Sequence, residues 1–552
     1  MNTKLLRACW PALVGSILFI TGALLLIPYP GLQEDELIFS PSIFNPGIND
    51  HMTFGRHIVP RMLLSYMGAT KTWLYFVIFR LWRPSLYSVR VPVILIYALT
   101  IWVFYDVLEI VHSRRAGIVG VLMLATDPIY VLTGSFGWCN LQNVFMLGSI
   151  GAFLRFYRSA SRLWLAAATF FAGLWLWDKA VGMWMLSGLV LAVLILFPRE
   201  AWSRVNPMNV VVGVAAFSMG ALPLILFNVE NGYPTLRSNT HFSTVGFHQK
   251  VEILKNTAEG SVWLGNVVSE PAQSPRIPRT QVGGWAVALH DRVGDHRSDY
   301  LPYAFAAGLF LVPLLLILRR HQGLRLLLFS LIVMCVAWLQ MALTEGAGTG
   351  GHHPALMWPF PELFIAVAFA EASFAWKNVG RWMIAAAVVI LMATNLLTLN
   401  QYLYQFVRFG GGKGWSDAIF ALSNQIPGFQ AEQIFLPDWG IINPLTTLSR
   451  GRLPLRWAGA AFSSDHPSEI AVHDALKAFA AKNSIWVEHT AENEMFAGVN
   501  ARLDKMASEA GYQKIELRQV RDQNQKAIFD IFCILPSTEA APANVVAIRR
   551  VK

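Results

Sequence analysis

Residues Cys9 to Ile27, CWPALVGSILFITGALLLI, carry no charge, and Pro30 to Phe39, PGLQEDELIF, follow them with three consecutive acids, Glu34, Asp35 and Glu36. A helix over the first run is long enough to cross a bilayer. The run follows Lys4 and Arg7 and ends in Pro28-Tyr29-Pro30 without a small-x-small cleavage pattern, so it reads as a retained anchor rather than a removed signal. Carboxylates at the mouth of a membrane helix must be solvated, paired or put to use. The acidic cluster is therefore where chemistry is expected, with a plain solvated loop as the alternative. The choice rests on what else reaches the same face.

Composition extends the reading to the whole chain. With 552 residues, 55% of them hydrophobic, only 14% charged, and a mean hydropathy of +0.44, an ordinary soluble protein is excluded and a polytopic α-helical membrane protein is expected. Further apolar runs lie at Val89–Val111, Ala116–Thr133, Gln142–Phe156, Leu163–Trp177, Ala180–Phe197, Val210–Phe227, Tyr300–Leu318, Leu324–Leu343, Leu356–Phe374 and Met383–Leu399, which predicts about eleven spans. The basic clusters Met1–Arg7, Ser113–Arg115, Arg155–Arg162, Arg199–Arg204, Arg319–Arg325 and Lys377–Arg381 then all fall on one side, the cytoplasmic side by the positive-inside rule. The net charge of +10 is thus an orientation signal, and no nucleic-acid partner is expected. Cys9, Cys139, Cys335 and Cys533 are too scattered for a disulfide framework or a thiolate metal site.

Three parts follow. Residues 1–400 read as the transmembrane unit. Within it, 29–88 form a first outer loop in which Arg61–Gly68 and Thr72–Trp82 are expected as interfacial helices. Residues 229–299 form a long polar outer loop with Pro271, Pro275 and Pro278 near Arg276 and Arg279, expected as a mobile lid or a structureless segment. Residues 401–552 alternate helix-like and strand-like stretches, including strands at Gln433–Leu436, Ser484–His489, Lys514–Arg518 and Ala527–Leu535, and read as an outer-facing soluble α/β domain. Gly410-Gly-Gly-Lys-Gly414 between the two lacks the spacing of a phosphate-binding loop and reads as a hinge.

Span ends deliver further polar groups to the face of the acidic cluster: Asp127 and Asn140 around one loop, Asp178 and Lys179 at the top of a helical hairpin, and His352 and His353 before a late span. Singly, each has an ordinary structural explanation as an ion pair, a helix cap or a wet loop. Together they set acids, an amide, a lysine and two histidines on one side. A transporter or flippase is the alternative, but it calls for ionisable residues at mid-span and paired broken helices, and the mid-span stretches are almost uncharged.

The order of features resembles the GT-C superfamily of polyprenyl-phosphate-sugar-dependent glycosyltransferases, which contains protein O-mannosyltransferases and lipid A aminoarabinose transferases. The matching pieces cover roughly the first 400 residues: the first helix followed by Asp35-Glu36; Leu64-Ser-Tyr-Met-Gly68 and Ser88-Val-Arg-Val-Pro92; Ala125-Thr-Asp-Pro-Ile-Tyr-Val-Leu132; Phe171-Ala-Gly-Leu-Trp-Leu-Trp-Asp-Lys179; and His353-Pro-Ala-Leu-Met-Trp-Pro-Phe-Pro361. The resemblance implies an inverting sugar transfer, with Asp35 at the catalytic acid's position, Glu36 at its neighbour's, Lys179 at the lysine closing the fifth-span motif, and His353-Pro354 near the lipid phosphate. Where many relatives have a second acid, this chain has Asn140. No cofactor is expected, and a divalent metal is not favoured. The chemistry of the residues agrees: an aspartate serves as base, and Lys179, Arg90 or a protonated His352 would stabilise the developing phosphate charge, with Asn140, Asp127 and Asp178 positioning acceptor or sugar. The implied partners are a polyprenyl-phosphate sugar donor, a lipid, glycan or protein acceptor, and membrane lipids. The implied location is a bacterial inner membrane with the C-terminal domain in the periplasm.

Overall fold

The computed structural model describes residues 3–138, 141–271 and 275–537. Helices occupy every position where an apolar run occurs: Thr3–Leu26, Leu86–Val111, Arg114–Thr126 with Pro128–Phe136, Gln142–Ser159, Arg162–Asp178, Met183–Leu196, Pro207–Glu230, Leu301–Ile317, His321–Ala342, Phe360–Ala375 and Lys377–Phe409. Among the described residues five are long and apolar enough to cross a membrane, six if the bent Arg114–Thr126 and Pro128–Phe136 pair counts as one span. The figure of about eleven is thus not reached by length and composition: Arg162–Asp178 and Phe360–Ala375 fall short of a full crossing, and Gln142–Ser159 carries Arg155 and Arg158. Close approach between helices uses small residues, as membrane packing favours. A Cβ at Gly173 would lie 2.3 Å from the Phe217 carbonyl oxygen, and one at Gly220 would lie 2.3 Å from that of Phe170, so the Arg162–Asp178 and Pro207–Glu230 helices meet backbone to backbone.

The run expected as one span at Ala116–Thr133 is two helices meeting at 60°. Pro128 cannot continue the hydrogen-bond ladder, and Asp127 caps the new helix by accepting from the Tyr130 N–H at 2.7 Å.

The first outer loop departs from expectation in one place. Arg61–Gly68 is not an interfacial helix but part of two strands, β2 (His57–Leu64) and β3 (Met67–Gly68), with β2 between β3 and β1 (Asp50–Phe54). The hairpin is fastened by Arg61, whose Nε lies 2.6 Å from Asp50 Oδ2 and whose Nη1 lies 2.7 Å from Glu230 Oε2. The helix foreseen over Thr72–Trp82 is present as Thr70–Leu81. The long loop after Glu230 is not structureless, for it carries helices Pro234–Asn239, Phe247–Ala258 and Gln281–Val293. Arg276 ties it down: its N–H donates to the Arg408 carbonyl at 2.6 Å, and its guanidinium pairs with Asp417 at 2.8 Å and Asp522 at 3.2 Å.

The last long helix continues past Gln401 to Phe409 and stops at Gly410, whose φ of +82° ends it. Beyond it lies a five-stranded sheet. Strand β4 (Gln433–Leu436) pairs in parallel with β5 (Leu455–Trp457) and β6 (Ser484–His489), while β8 (Ala527–Pro536) runs antiparallel to β6 and to β7 (Tyr512–Arg521). Alternation of side chains gives both faces an apolar cover. Ile434, Leu436 and Val487 pack against the helices Ala418–Gln425 and Ile442–Ser449, and Phe435, Trp486 and Phe532 against Glu469–Phe479 and Val499–Glu509.

Candidate active site

The neighbours Asp35 and Glu36 meet different surroundings. Both lie in a short 3₁₀ turn that follows the first helix, and Gln33 Oε1 accepts from their backbone N–H groups at 2.6 and 3.2 Å. Glu36 turns inward onto Arg90 near the start of the Leu86–Val111 helix, in a two-pronged pair of 2.7 and 2.9 Å with both side chains fully buried. The remaining Arg90 donors go to the carbonyls of Ile27, Pro30 and Gly31. Arg90 therefore clamps the end of the first helix onto the next span. Against expectation, the Arg90 donors are used on Glu36 and the backbone, with none left for a phosphate, and Glu36 is closed into a buried ion pair.

Asp35 faces the other way. Its side chain is exposed, and among the described residues its carboxylate accepts no hydrogen bond. It opens into a recess walled by protein, and this partial desolvation raises its carboxyl above the ordinary aspartate range, against the opposing pull of Lys179. Lys179 follows the Arg162–Asp178 helix, where its backbone bridges to Met67 of β3 and the Ala180 N–H donates to the Tyr66 carbonyl at 2.8 Å. The sheet of the first loop thus sets the lysine beside Asp35. Its ammonium is buried and makes no hydrogen bond or ion pair among the described residues.

His352 and His353 complete the recess. Their rings lie 4.2 Å apart, and that of His353 sits 6.3 Å from Trp184. Both are half open to solvent yet enclosed by protein. Enclosure, each other's proximity and Lys179 hold His352 well below the ordinary histidine range, and enclosure with Lys179 and Lys250 brings His353 down to about 3. The expectation of a protonated His352 is corrected: at neutral pH both rings are uncharged, chiefly because enclosure by protein disfavours the charged form, with the Lys179 ammonium adding repulsion. Two residues in this neighbourhood were not singled out in the sequence. Burial and the Asp35 charge raise the Tyr66 phenol, and Lys250 donates to the carbonyls of Ala342 and Thr344 at 3.0 and 2.8 Å, which fixes the loop leading to the histidines.

The other expected positions serve different ends. Asp178 does not pair with Lys179. It accepts from the Thr70 hydroxyl and from the Leu141 N–H at 3.1 Å, fully buried, and so joins the interfacial helix to the next loop. Asp127 is buried at the helix bend, in a separate group with Trp358 and Glu362, and is not in the recess. Asn140 lies outside the described residues. Lys71, also unforeseen, donates to the carbonyls of Glu36 and Gly137 at 3.0 and 3.1 Å and braces the acidic turn from below.

The C-terminal sheet region touches the same turn. The Asn443 N–H donates to Glu34 Oε2 at 3.1 Å, its amide to the Glu34 carbonyl at 3.3 Å, and the Gly31 N–H to the Trp415 carbonyl at 2.7 Å. Only glycine fits at 31, since a Cβ would sit 2.0 Å from the Ser416 oxygen. Burial pushes the Glu34 carboxyl up to about 8.

Asp35 stands beside an ammonium, Glu36 is locked onto Arg90, and among the described residues no three His, Cys, Asp or Glu side chains converge as ligands.

No protein-family model and no curated protein matches the sequence. Solved structures do match. ArnT from Cupriavidus metallidurans, determined bound to undecaprenyl phosphate, superposes over 96% of this chain and 98% of its own with a TM-score of 0.54 at 13% identity. The oligosaccharyltransferase AglB from Archaeoglobus fulgidus, in complex with an inhibitory peptide and a dolichol-phosphate, does so over 99% of this chain and 76% of its own, with a TM-score of 0.51 at 12% identity. The fold is shared. Both neighbours are GT-C glycosyltransferases, the group that the motif order resembles, and the likeness spans the membrane helices and the C-terminal sheet region together.

Proposed function

We propose that the chain is a membrane glycosyltransferase that moves a sugar from a polyprenyl-phosphate carrier to a hydroxyl or amine acceptor, without a metal, at the recess around Asp35. The observation that carries this reading is the side-by-side placement of an exposed, unpaired carboxylate and a buried, unpaired ammonium at the mouth of membrane helices. Asp35 accepts the acceptor's proton as the new bond to the anomeric carbon forms. The bond from that carbon to the phosphate oxygen breaks, and its electron pair leaves on the lipid phosphate. One base and one displacement invert the anomeric centre. A raised carboxyl makes Asp35 a stronger base than a fully solvated aspartate. Lys179 meets the charge that grows on the departing phosphate, and its enclosure away from bulk water strengthens that contact. His352 and His353, neutral, donate N–H groups to phosphate or sugar oxygens without adding charge. In this reading residues 1–400 form the catalytic membrane unit of a bacterial inner membrane, and residues 401–552 face the periplasm on the side of Asp35. The lipid carriers bound by ArnT and AglB support the choice of donor.

The test is transfer by the purified protein in nanodiscs, with a polyprenyl-phosphate sugar or a nucleotide sugar as donor. Transfer from the lipid donor alone is expected, with release of polyprenyl phosphate, and Asp35→Asn is expected to lower it by roughly 10²- to 10⁴-fold. Transfer from the nucleotide sugar alone would refute the reading.

A further inference from the structure

Far from Asp35, a cavity of about 330 Å³ opens between the start of the Arg114–Thr126 helix and the junction of Phe360–Ala375 with Lys377–Phe409. The Leu86–Val111 helix separates the two places: Arg90 near its start holds the acidic turn, its end adjoins Arg114, and its 26 residues rise roughly 39 Å. Arg115, Ser373, Phe374, Asn378 and Arg381 line the cavity, and among the described residues no carboxylate does. Glu371, two residues before Ser373, is already engaged, by the His112 ring at 2.9 Å and by an ion pair with Arg320. The Arg115 guanidinium lies 4.2 Å from the centre of the Phe374 ring and donates to the Ser373 hydroxyl at 3.3 Å. Among the described residues neither Arg115 nor Arg381 has an acidic partner.

Orienting a membrane protein requires positive charge in a loop, but it does not require two guanidiniums, a hydroxyl and an amide to converge on one hollow. We propose that this cavity binds the phosphate of an anionic phospholipid from the leaflet opposite Asp35. Arginine forks match phosphate oxygens, and basic pockets between the ends of membrane helices suit anionic headgroups. The surroundings favour a lipid over free phosphate. Val379, Trp382 and Met383 project beside the cavity with 68%, 79% and 55% of their surface exposed, apolar groups placed where acyl chains and the interfacial layer would cover them.

The test uses the whole protein in detergent, with added phosphatidylglycerol, phosphatidylcholine or inorganic phosphate, reading the thermal midpoint and the lipid retained in native mass spectrometry. Phosphatidylglycerol is expected to be retained and to raise the midpoint, and the other two to do neither. Arg115→Gln with Arg381→Gln is expected to weaken the apparent affinity roughly 25-fold, at about fivefold for each arginine. Undiminished retention in that variant would overturn the site, and protection by inorganic phosphate equal to that by the lipid would overturn the lipid as its source. Should the variant fail to fold, Asn378→Ala with Arg381→Lys keeps the charge and removes the fork. A several-fold loss there supports the site, and an unchanged affinity overturns it.

Discussion

Asp35 and Glu36 are consecutive carboxylates in one turn, yet the first is exposed and accepts no hydrogen bond among the described residues, while the second is sealed in a two-pronged pair with Arg90. The turn explains the difference. Adjacent residues in it point apart, and Gln33 fixes both backbone N–H groups so that the choice does not relax. A buried pair this complete holds two helices together but has no capacity left for a substrate, whereas an unpaired carboxylate beside an unpaired ammonium has all of its capacity free. In the reaction we propose, the two acids therefore divide the labour, with Glu36 setting the geometry and Asp35 left to react.

Removing one member of the sealed pair should produce the larger free-energy change. Arg90→Met leaves Glu36 charged and buried without a partner, and breaking such a pair costs about 3–5 kcal/mol. Thermal unfolding in detergent should show a large drop, mostly recovered when Glu36→Met is added. An unchanged midpoint in Arg90→Met would remove the scaffold half of the comparison. Lys179→Met, by contrast, should leave the midpoint nearly unaltered and slow transfer on the order of 10²-fold, the usual loss for one charge contact to a transition state. If turnover persists while stability falls, Lys179 belongs with Glu36 and not with Asp35.

Much of this was legible in the chain. Uncharged runs announce their helices, Thr72–Trp82 reveals the interfacial helix, and the alternation around Gln433–Leu436 and Ser484–His489 reveals the sheet. What was hidden depended on contacts distant in sequence. Arg61–Gly68 mixes apolar and basic residues in a way that fits either a helix or a strand, and only Asp50 and Glu230 decide it. Nothing local says that Glu36 rather than Asp35 will meet Arg90, nor that His352 and His353 will be enclosed by protein near Lys179 and so stay neutral. Tyr66 stood within the quoted motif Leu64–Gly68 and Lys71 three residues after it, so a charged or polar side chain flanking a buried Gly68 was the available signal. Ala116–Thr133 reads as one apolar run, so the bend at Pro128 that buries Asp127 as the cap of a second helix is visible only in the structure.

Glu34 provides a smaller and subtler effect. Its carboxyl is pushed from 4.5 to about 8 where it meets Asn443. Between those values the folded state keeps a proton that the unfolded or undocked chain has lost. The contribution to docking is thus full below pH 4.5, declines as pH rises, and is gone above about 8. Hydrogen exchange in the Ile442–Ser449 helix should accelerate across that window, and Glu34→Gln should flatten the response. A response of the same size in Glu34→Gln would assign it to another group.

The most direct test of the division between the two acids is rescue by a small carboxylate. Asp35→Ala and Glu36→Ala are assayed for transfer from a polyprenyl-phosphate sugar with and without formate. Formate should restore transfer in Asp35→Ala, because the recess is open and lacks only a base, and should do nothing for Glu36→Ala, whose site is closed and whose loss is one of structure. Near-normal transfer by Asp35→Ala without formate, or rescue of Glu36→Ala alone, would contradict the account.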